Sequence, residues 1–349
     1  MARALTVTDP TGAPGARNAF ERAALTILED ERDLPFVRLA LEMTLVLLPC
    51  AVYLFATRFP WWMGAAYWAL LFGCFFDRYV LMLHNTSHRR LCKRQYAALN
   101  LYVPWVLGPL CGEAPVTYFA HHVAMHHVEE NLAADLSSTR SYQRDSPLDF
   151  ARYLVAFLAL SAWRLTRYHL DRGHAPLARR MLAGELSFYA LVGLGLWLNW
   201  RAALVVLVVP FLACRVLMMC GNWGQHAFLD PDDPENAYRN ATTFINVRYN
   251  RRCFNDGYHI GHHRAPHRHW TEMPRDFLDD RDSYARQDAI VLEGLDNFSC
   301  WLLLMRQDYD RLARHFVELR DQPRSHAEVV ALLRSRTRRH GGALPGVRP

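Results

Sequence analysis

The residues with most chemistry to offer are nine histidines in four groups. His84 and His88 form H-x3-H in LHNTSH. His122, His126 and His127 form H-x3-HH in HHVAMHH. His226 closes GNWGQH, with Asn222 four residues before it. His259, His262 and His263 form H-x2-HH in HIGHH. On an α-helix, positions i and i+4 share a face, so His84/His88 and His122/His126 are each expected to clamp one ion. An adjacent residue is turned by about 100°, so each HH pair can serve two ions from one turn. Nine imidazoles exceed what one tetrahedral zinc uses; they suit two metals with roughly four or five ligands each, plus open positions. Imidazole accepts iron, copper, nickel and zinc alike, so spacing alone does not name the metal. No Glu-x-x-His pair occurs, which excludes the carboxylate-rich di-iron bundle.

Such a site needs elements to carry it. Four runs are apolar and free of charge: 43–57, 59–76, 186–200 and 202–214. With their flanks each approaches the roughly 20 residues that span a bilayer. The joints are short, 58–60 in the first pair and Arg201 in the second. Two helical hairpins are therefore expected, with spans at about 36–57, 60–83, 185–200 and 202–221 and both joints on one side. The fold class is an all-α integral membrane four-helix bundle with a cytoplasmic helical cap. The joints hold only Arg58 and Arg201, whereas 89–180 and the chain from Arg239 on are rich in arginine. Positive charge favours the cytoplasmic side, which places the histidine groups and both termini there. Two further stretches, 96–112 with Pro104, Gly108 and Pro109, and 152–169 with Arg164 and Arg167, read as re-entrant or interfacial. Convergence of the histidines demands this, because a crossing at 96–112 would strand His122 on the far side.

The averages hide this division. The 349 residues are 51% hydrophobic and 21% charged with a net charge of +6, which excludes a disordered or collagenous chain. No C-x-x-C pair occurs among the eight cysteines, so no redox dithiol, zinc ribbon or iron–sulfur frame is expected. The first thirty residues have no apolar h-region, so no cleaved signal peptide is expected. Residues 1–18 read as a flexible tail, 19–320 as a single domain and 321–349 as a C-terminal tail. Nucleic-acid binding is a poor reading, because the basic residues are not interleaved with stacking aromatics.

With these motifs the chain resembles the membrane fatty acid desaturases and the related alkane and lipid hydroxylases. The resemblance covers about residues 35 to 275. It implies a di-iron centre with two Fe2+ ions, O2 as co-substrate, and all nine grouped histidines as ligands. It also implies that Asn222 holds a metal-bound water. The second box departs from the desaturase pattern, having three residues where H-x2-HH has two, and is similar to that of alkane hydroxylases. The implied substrate is a lipid or acyl chain. The implied partner is an electron donor of ferredoxin, rubredoxin or cytochrome type with its reductase. The implied reaction is desaturation, with hydroxylation or oxidative decarboxylation as alternatives. A zinc-dependent membrane hydrolase is the rival outside oxidase chemistry.

Some residues have weaker expectations. Asp77 and Arg215 should lie about two turns membrane-ward of His84 and Asn222, and a cross-hairpin ion pair between them is one reading. His121 reads as supporting or incidental, and His267 and His269 as possible outer support. His169, His174, His315, His326 and His340 need no special role.

Overall fold

The computed structural model describes residues 5–340. The outer ends of the two expected tails, 1–4 and 341–349, lie outside the described residues. The chain is mostly helical and divides into two compact units. One is built from the chain up to Thr11, Met125–Ser161 and the chain from Leu217 on; the other is Gly12–Ala124 with Ala162–Val216.

Among the described residues, three helices are long and apolar enough to cross a membrane: Glu31–Ala56, Trp61–His88 and Ala175–Gln225. The third has 51 residues and is not straight. Asn199 has φ −156° and ψ 91°, so two helical arms meet there. The stretches expected as spans, 185–200 and 202–221, lie within this one bent helix. The Asn199 side chain explains the break. Its Oδ1 accepts from the Ala202 N–H (3.2 Å) and so caps the second arm. Its Nδ2 donates to the carbonyls of Leu54 and Thr57 (both 3.1 Å), which ties the bend to the joint before Trp61. The Arg201 guanidinium lies 4.4 Å over the Trp61 ring. Trp61, Trp62, Trp197 and Trp200 are exposed around the bend, as in the aromatic belts of bilayer interfaces.

Close packing fixes these helices. Trp68 Nε1 donates to the Val205 carbonyl (2.9 Å), and a Cβ on Gly64 would stand 2.9 Å from Val205 Cγ2. Two π-helical turns, Met43–Leu47 and Leu204–Val208, come just before Pro49 and Pro210. A proline inside a helix lacks its N–H and crowds the carbonyl four residues back, so the ladder widens there. The chain at 94–111 forms a 3-10 helix Arg94–Leu101 kinked at Tyr96, a π-helical turn Val103–Leu107 and a 3-10 turn Gly108–Cys111. Pro147–Asp171 is a 25-residue helix, broken in apolar character by its arginines.

The other unit holds a two-stranded parallel sheet, β1 Thr242–Ile245 against β2 Ile290–Glu293, with Thr242 opposite Ile290. One apolar cluster gathers Phe228, Phe244, Leu292, Leu304 and Leu312. A second gathers Ile245, Tyr258, Ile260, Phe277 and Tyr284. Arg144 is fully buried. It donates to the carbonyls of Thr139, Tyr142, Ala227 and Arg336 (2.9–3.1 Å), crosslinking distant segments.

The expected tails carry structure. His326–Arg336 is a helix opened by a Ser325/Glu328 capping box, and its Val329 and Leu333 join the first cluster. At the other end Leu5 and Val7 pack on the second cluster. The polar composition of 1–18 obscured the alternation that places those two side chains inward.

Candidate metal centre

His126, His226, His259 and His263 form a buried quartet in the first unit, each offering a ring nitrogen within 4.8 Å of the others. Three local structures bring them together. Phe119–His126 is a π-helix. His226 follows the helix ending at Gln225, its N–H bonded to the Asn222 carbonyl (3.0 Å). His259 and His263 share a face of the short helix His259–Arg264. Nε2 of His259 lies 3.0 Å from that of His226 and 3.1 Å from that of His263.

The outer nitrogens are anchored. His126 Nδ1 lies 2.6 Å from Asp135 Oδ2, and His226 Nδ1 lies 2.8 Å from the Asn240 carbonyl oxygen. Both partners are acceptors, so both Nδ1 atoms carry the proton and turn an Nε2 lone pair inward. Carboxylate or carbonyl support behind an imidazole is the usual outer layer of a metal site. Burial pushes the His226 imidazole down to about 3, and neighbouring His126 adds to this. Burial likewise holds His263 well below its ordinary value, with His259 next. Neutral imidazole is the metal-binding form. Convergent nitrogens, with His126 and His226 anchored on their outer side and His226 and His263 held neutral by burial, are a donor set that a cation satisfies, so these residues fit a metal.

The adjacent histidines diverge as their spacing requires. His127 and His262 leave the quartet and meet each other, Nε2 to Nε2 2.8 Å. The His262 and His263 rings stand at 77°. In the second unit, His84 and His88 have ring centroids 5.3 Å apart. His122 lies 4.5 Å from His84 and 5.1 Å from His88. The Tyr118 ring is 5.2 Å from His122. One pairing differs from expectation. His122 groups with His84 and His88, while His126 joins the quartet. His122 and His126 both sit on the π-helix Phe119–His126 and not on the α-helix that the i, i+4 expectation assumed.

The remaining expected residues fall as follows. Asn222 spends both amide hydrogens, on the Ser137 carbonyl (2.9 Å) and the Tyr153 hydroxyl (2.8 Å), which leaves only its amide oxygen for a ligand. The carboxylate partner of Arg215 is Glu185 (3.5 Å) and not Asp77. Arg215 also donates to the Gly112 carbonyl (3.3 Å) and lies 3.5 Å over Phe211. Sequence reasoning passed over Glu185, a lone carboxylate at the edge of an apolar run. Asp77 Oδ1 accepts from the Arg78 backbone N–H (2.8 Å). His121 is half-buried and His267 exposed. Buried His269 bonds Thr271 through Nδ1 (2.8 Å). Asp135 and Asn240 were missed: one is an unpatterned aspartate, and the other acts through its backbone.

A family model described as fatty acid desaturase matches residues 60–293. The chain belongs to the fatty acid desaturase family. No curated protein matches it. Family membership makes the chain an oxidoreductase of the desaturase and hydroxylase type, working in a membrane context on lipid, and its histidine clusters could hold metal.

Proposed function

We propose that this desaturase-family protein is an O2-dependent di-iron membrane enzyme that introduces a double bond into a lipid acyl chain. The observation that carries the reading is the buried quartet with its outer nitrogens held by Asp135 and the Asn240 carbonyl. In this reading the nine box histidines, His84, His88, His122, His126, His127, His226, His259, His262 and His263, are ligands of two irons, one of them in the quartet, with Asn222 acting through water. Bound iron supplies, with O2 and two electrons, the oxidising power that an unactivated C–H bond requires. The chain's own residues supply geometry and dryness. Asp135 and Asn240 fix imidazole orientation, and burial excludes water from the quartet. The electrons come from a ferredoxin, rubredoxin or cytochrome-type donor with its reductase. Four crossings put the boxes and both termini on the cytoplasmic side.

Hydroxylation of an alkyl or acyl chain is the second reading, favoured by the H-x3-HH spacing of the second box. Lipid and hydrocarbon profiling of cells expressing the protein, against a His262→Ala control, tests the choice. A new double bond absent from the control is the expected result. An alcohol would replace desaturation by hydroxylation, and a shortened alkene by oxidative decarboxylation. Turnover of a zinc-loaded protein without O2 or reductant would overturn the oxidase reading in favour of a hydrolase.

A further inference from the structure

We propose that residues Leu5–Pro10 are a strap that positions the third histidine box, with Asp9 as its positioning residue. The segment runs extended with alternating sides. Leu5 and Val7 pack against the cluster around Tyr258 and Ile260. Thr6 and Thr8 face Asn246, whose Oδ1 accepts from the Thr8 N–H (2.7 Å) and whose Nδ2 donates to the Thr6 carbonyl (2.7 Å). Asp9 is buried. Its Oδ2 accepts from the Asn246 N–H (2.7 Å), Asn250 Nδ2 (3.0 Å) and the Tyr258 hydroxyl (2.7 Å). The Pro10 carbonyl accepts from Asn255 Nδ2 (2.7 Å), which also donates to the Trp270 carbonyl (2.8 Å).

The groups that donate to Asp9 and to the Pro10 carbonyl lie in 246–258, the segment leading into HIGHH. Tyr258 is the residue before His259, and its carbonyl accepts the His262 N–H (2.9 Å). Phe254 has φ 52°, a left-handed conformation that is strained for a bulky side chain and persists where the surroundings hold it; Asn246 and Asn255, both at 55°, are of a residue type that adopts it more readily. A Cβ on Gly257 would come 2.4 Å from Asn250 Oδ1, so the turn closes tightly around the very side chain that Asp9 grips. Without the carboxylate, a hydrogen of Asn250 and the Tyr258 hydroxyl stay buried with no acceptor there, which destabilises this course of the segment.

The consequence for metal rests on reading His259, His262 and His263 as ligands; the hold on the segment does not. The test uses the full chain in detergent, with Asp9→Ala, the isosteric Asp9→Asn, and a truncation lacking residues 1–11. In metal-free protein, hydrogen exchange over 255–264 should speed up in Asp9→Ala and the truncation while Trp61–His88 keeps its protection. Iron loaded into the same variants should pass to a chelator about tenfold faster, the low end of what losing outer support costs. The ligand-field bands of cobalt(II)-loaded protein should shift. Asp9→Asn should fall between, since its carbonyl still accepts. Wild-type exchange and metal release in both Asp9 variants overturn the strap. If Asp9→Ala unfolds throughout, Asp9→Asn decides alone. A wild-type protein that takes up no iron overturns the metal reading, and the exchange measurement still decides the strap.

Discussion

His126 is backed by a carboxylate 2.6 Å from its Nδ1, and that carboxylate is itself held from several directions. Asp135 accepts from the Asn131 N–H (3.0 Å) through Oδ2, and from the Ser137 N–H and hydroxyl (both 2.7 Å) through Oδ1. An anion fixed in that way keeps the imidazole proton on Nδ1 and sharpens the basicity of Nε2. Asp135→Asn should therefore weaken metal binding by about 10- to 100-fold, read by metal titration and elemental analysis, and should also lower the melting temperature of the metal-free protein, because the new amide N–H faces a buried donor. Unaltered affinity would remove Asp135 from the site. The histidine boxes were legible in sequence because their spacing repeats. Asp135 sits in AADLSS with no pattern, and Asn240 contributes a carbonyl that any residue would have, so neither left a signal. A second prediction concerns Arg215. Its partner Glu185 is buried and also receives the Thr117 hydroxyl (2.7 Å). Removing one member of a buried pair strands the other, so Arg215→Met should cost about 3–5 kcal/mol. Adding Glu185→Leu should recover most of that loss in thermal unfolding in detergent; a double variant as weak as the single would show that Arg215 acts through Phe211 and Gly112 instead.

At the level of elements, charge-free length made the spans readable, since lipid tolerates little else. What the runs could not show was the form of the second hairpin, a bend set by one asparagine cap rather than a loop. Nor could they show the π-turn in the second box, because α and π turns draw on the same residues and tertiary packing selects between them. Glycines in the Ala175–Ala203 helix test the packing with opposite signs. A Cβ on Gly184 would stand 1.9 Å from the Pro115 carbonyl oxygen, whereas Gly193 has nothing within 4 Å. Gly184→Ala should destabilise by about 1–3 kcal/mol. Gly193→Ala should stabilise by about 0.5–1 kcal/mol, since alanine keeps less freedom in the unfolded chain. Matching melting shifts would contradict the close approach. A pH effect belongs to this scale too. Glu21, in the helix Ala19–Leu25, is pulled down to about 2, first by its hydrogen bonds to Arg38 and then by the Arg17 N–H. Its folded value is depressed, so the tie between this helix and Glu31–Ala56 is present above pH 4.5 and fades as pH falls from 4.5 toward 2. Glu21→Gln should flatten that part of the acid-stability curve.

For the whole molecule the decisive quantity is length. A straight helix of 51 residues would extend about 77 Å at 1.5 Å per residue, more than twice the roughly 30 Å hydrocarbon core. It cannot be one crossing. Bent at Asn199 it becomes two, and the bend is bonded to the joint between the other two long helices. In the proposed topology the two tied joints share one face of the bilayer, and the chain before Glu31 and the chain after Gln225 share the other. The prediction follows for a membrane-impermeant thiol reagent applied to intact cells. A cysteine replacing Arg58 or Trp197, in a background with Cys50 and Cys74 changed to serine, should react from outside, because Trp197 is exposed beside the bend. A cysteine replacing exposed Arg275 should react only after the cells are opened. Reaction of both from outside would break the paired-hairpin topology, and with it the single-sided convergence on which a dinuclear site depends.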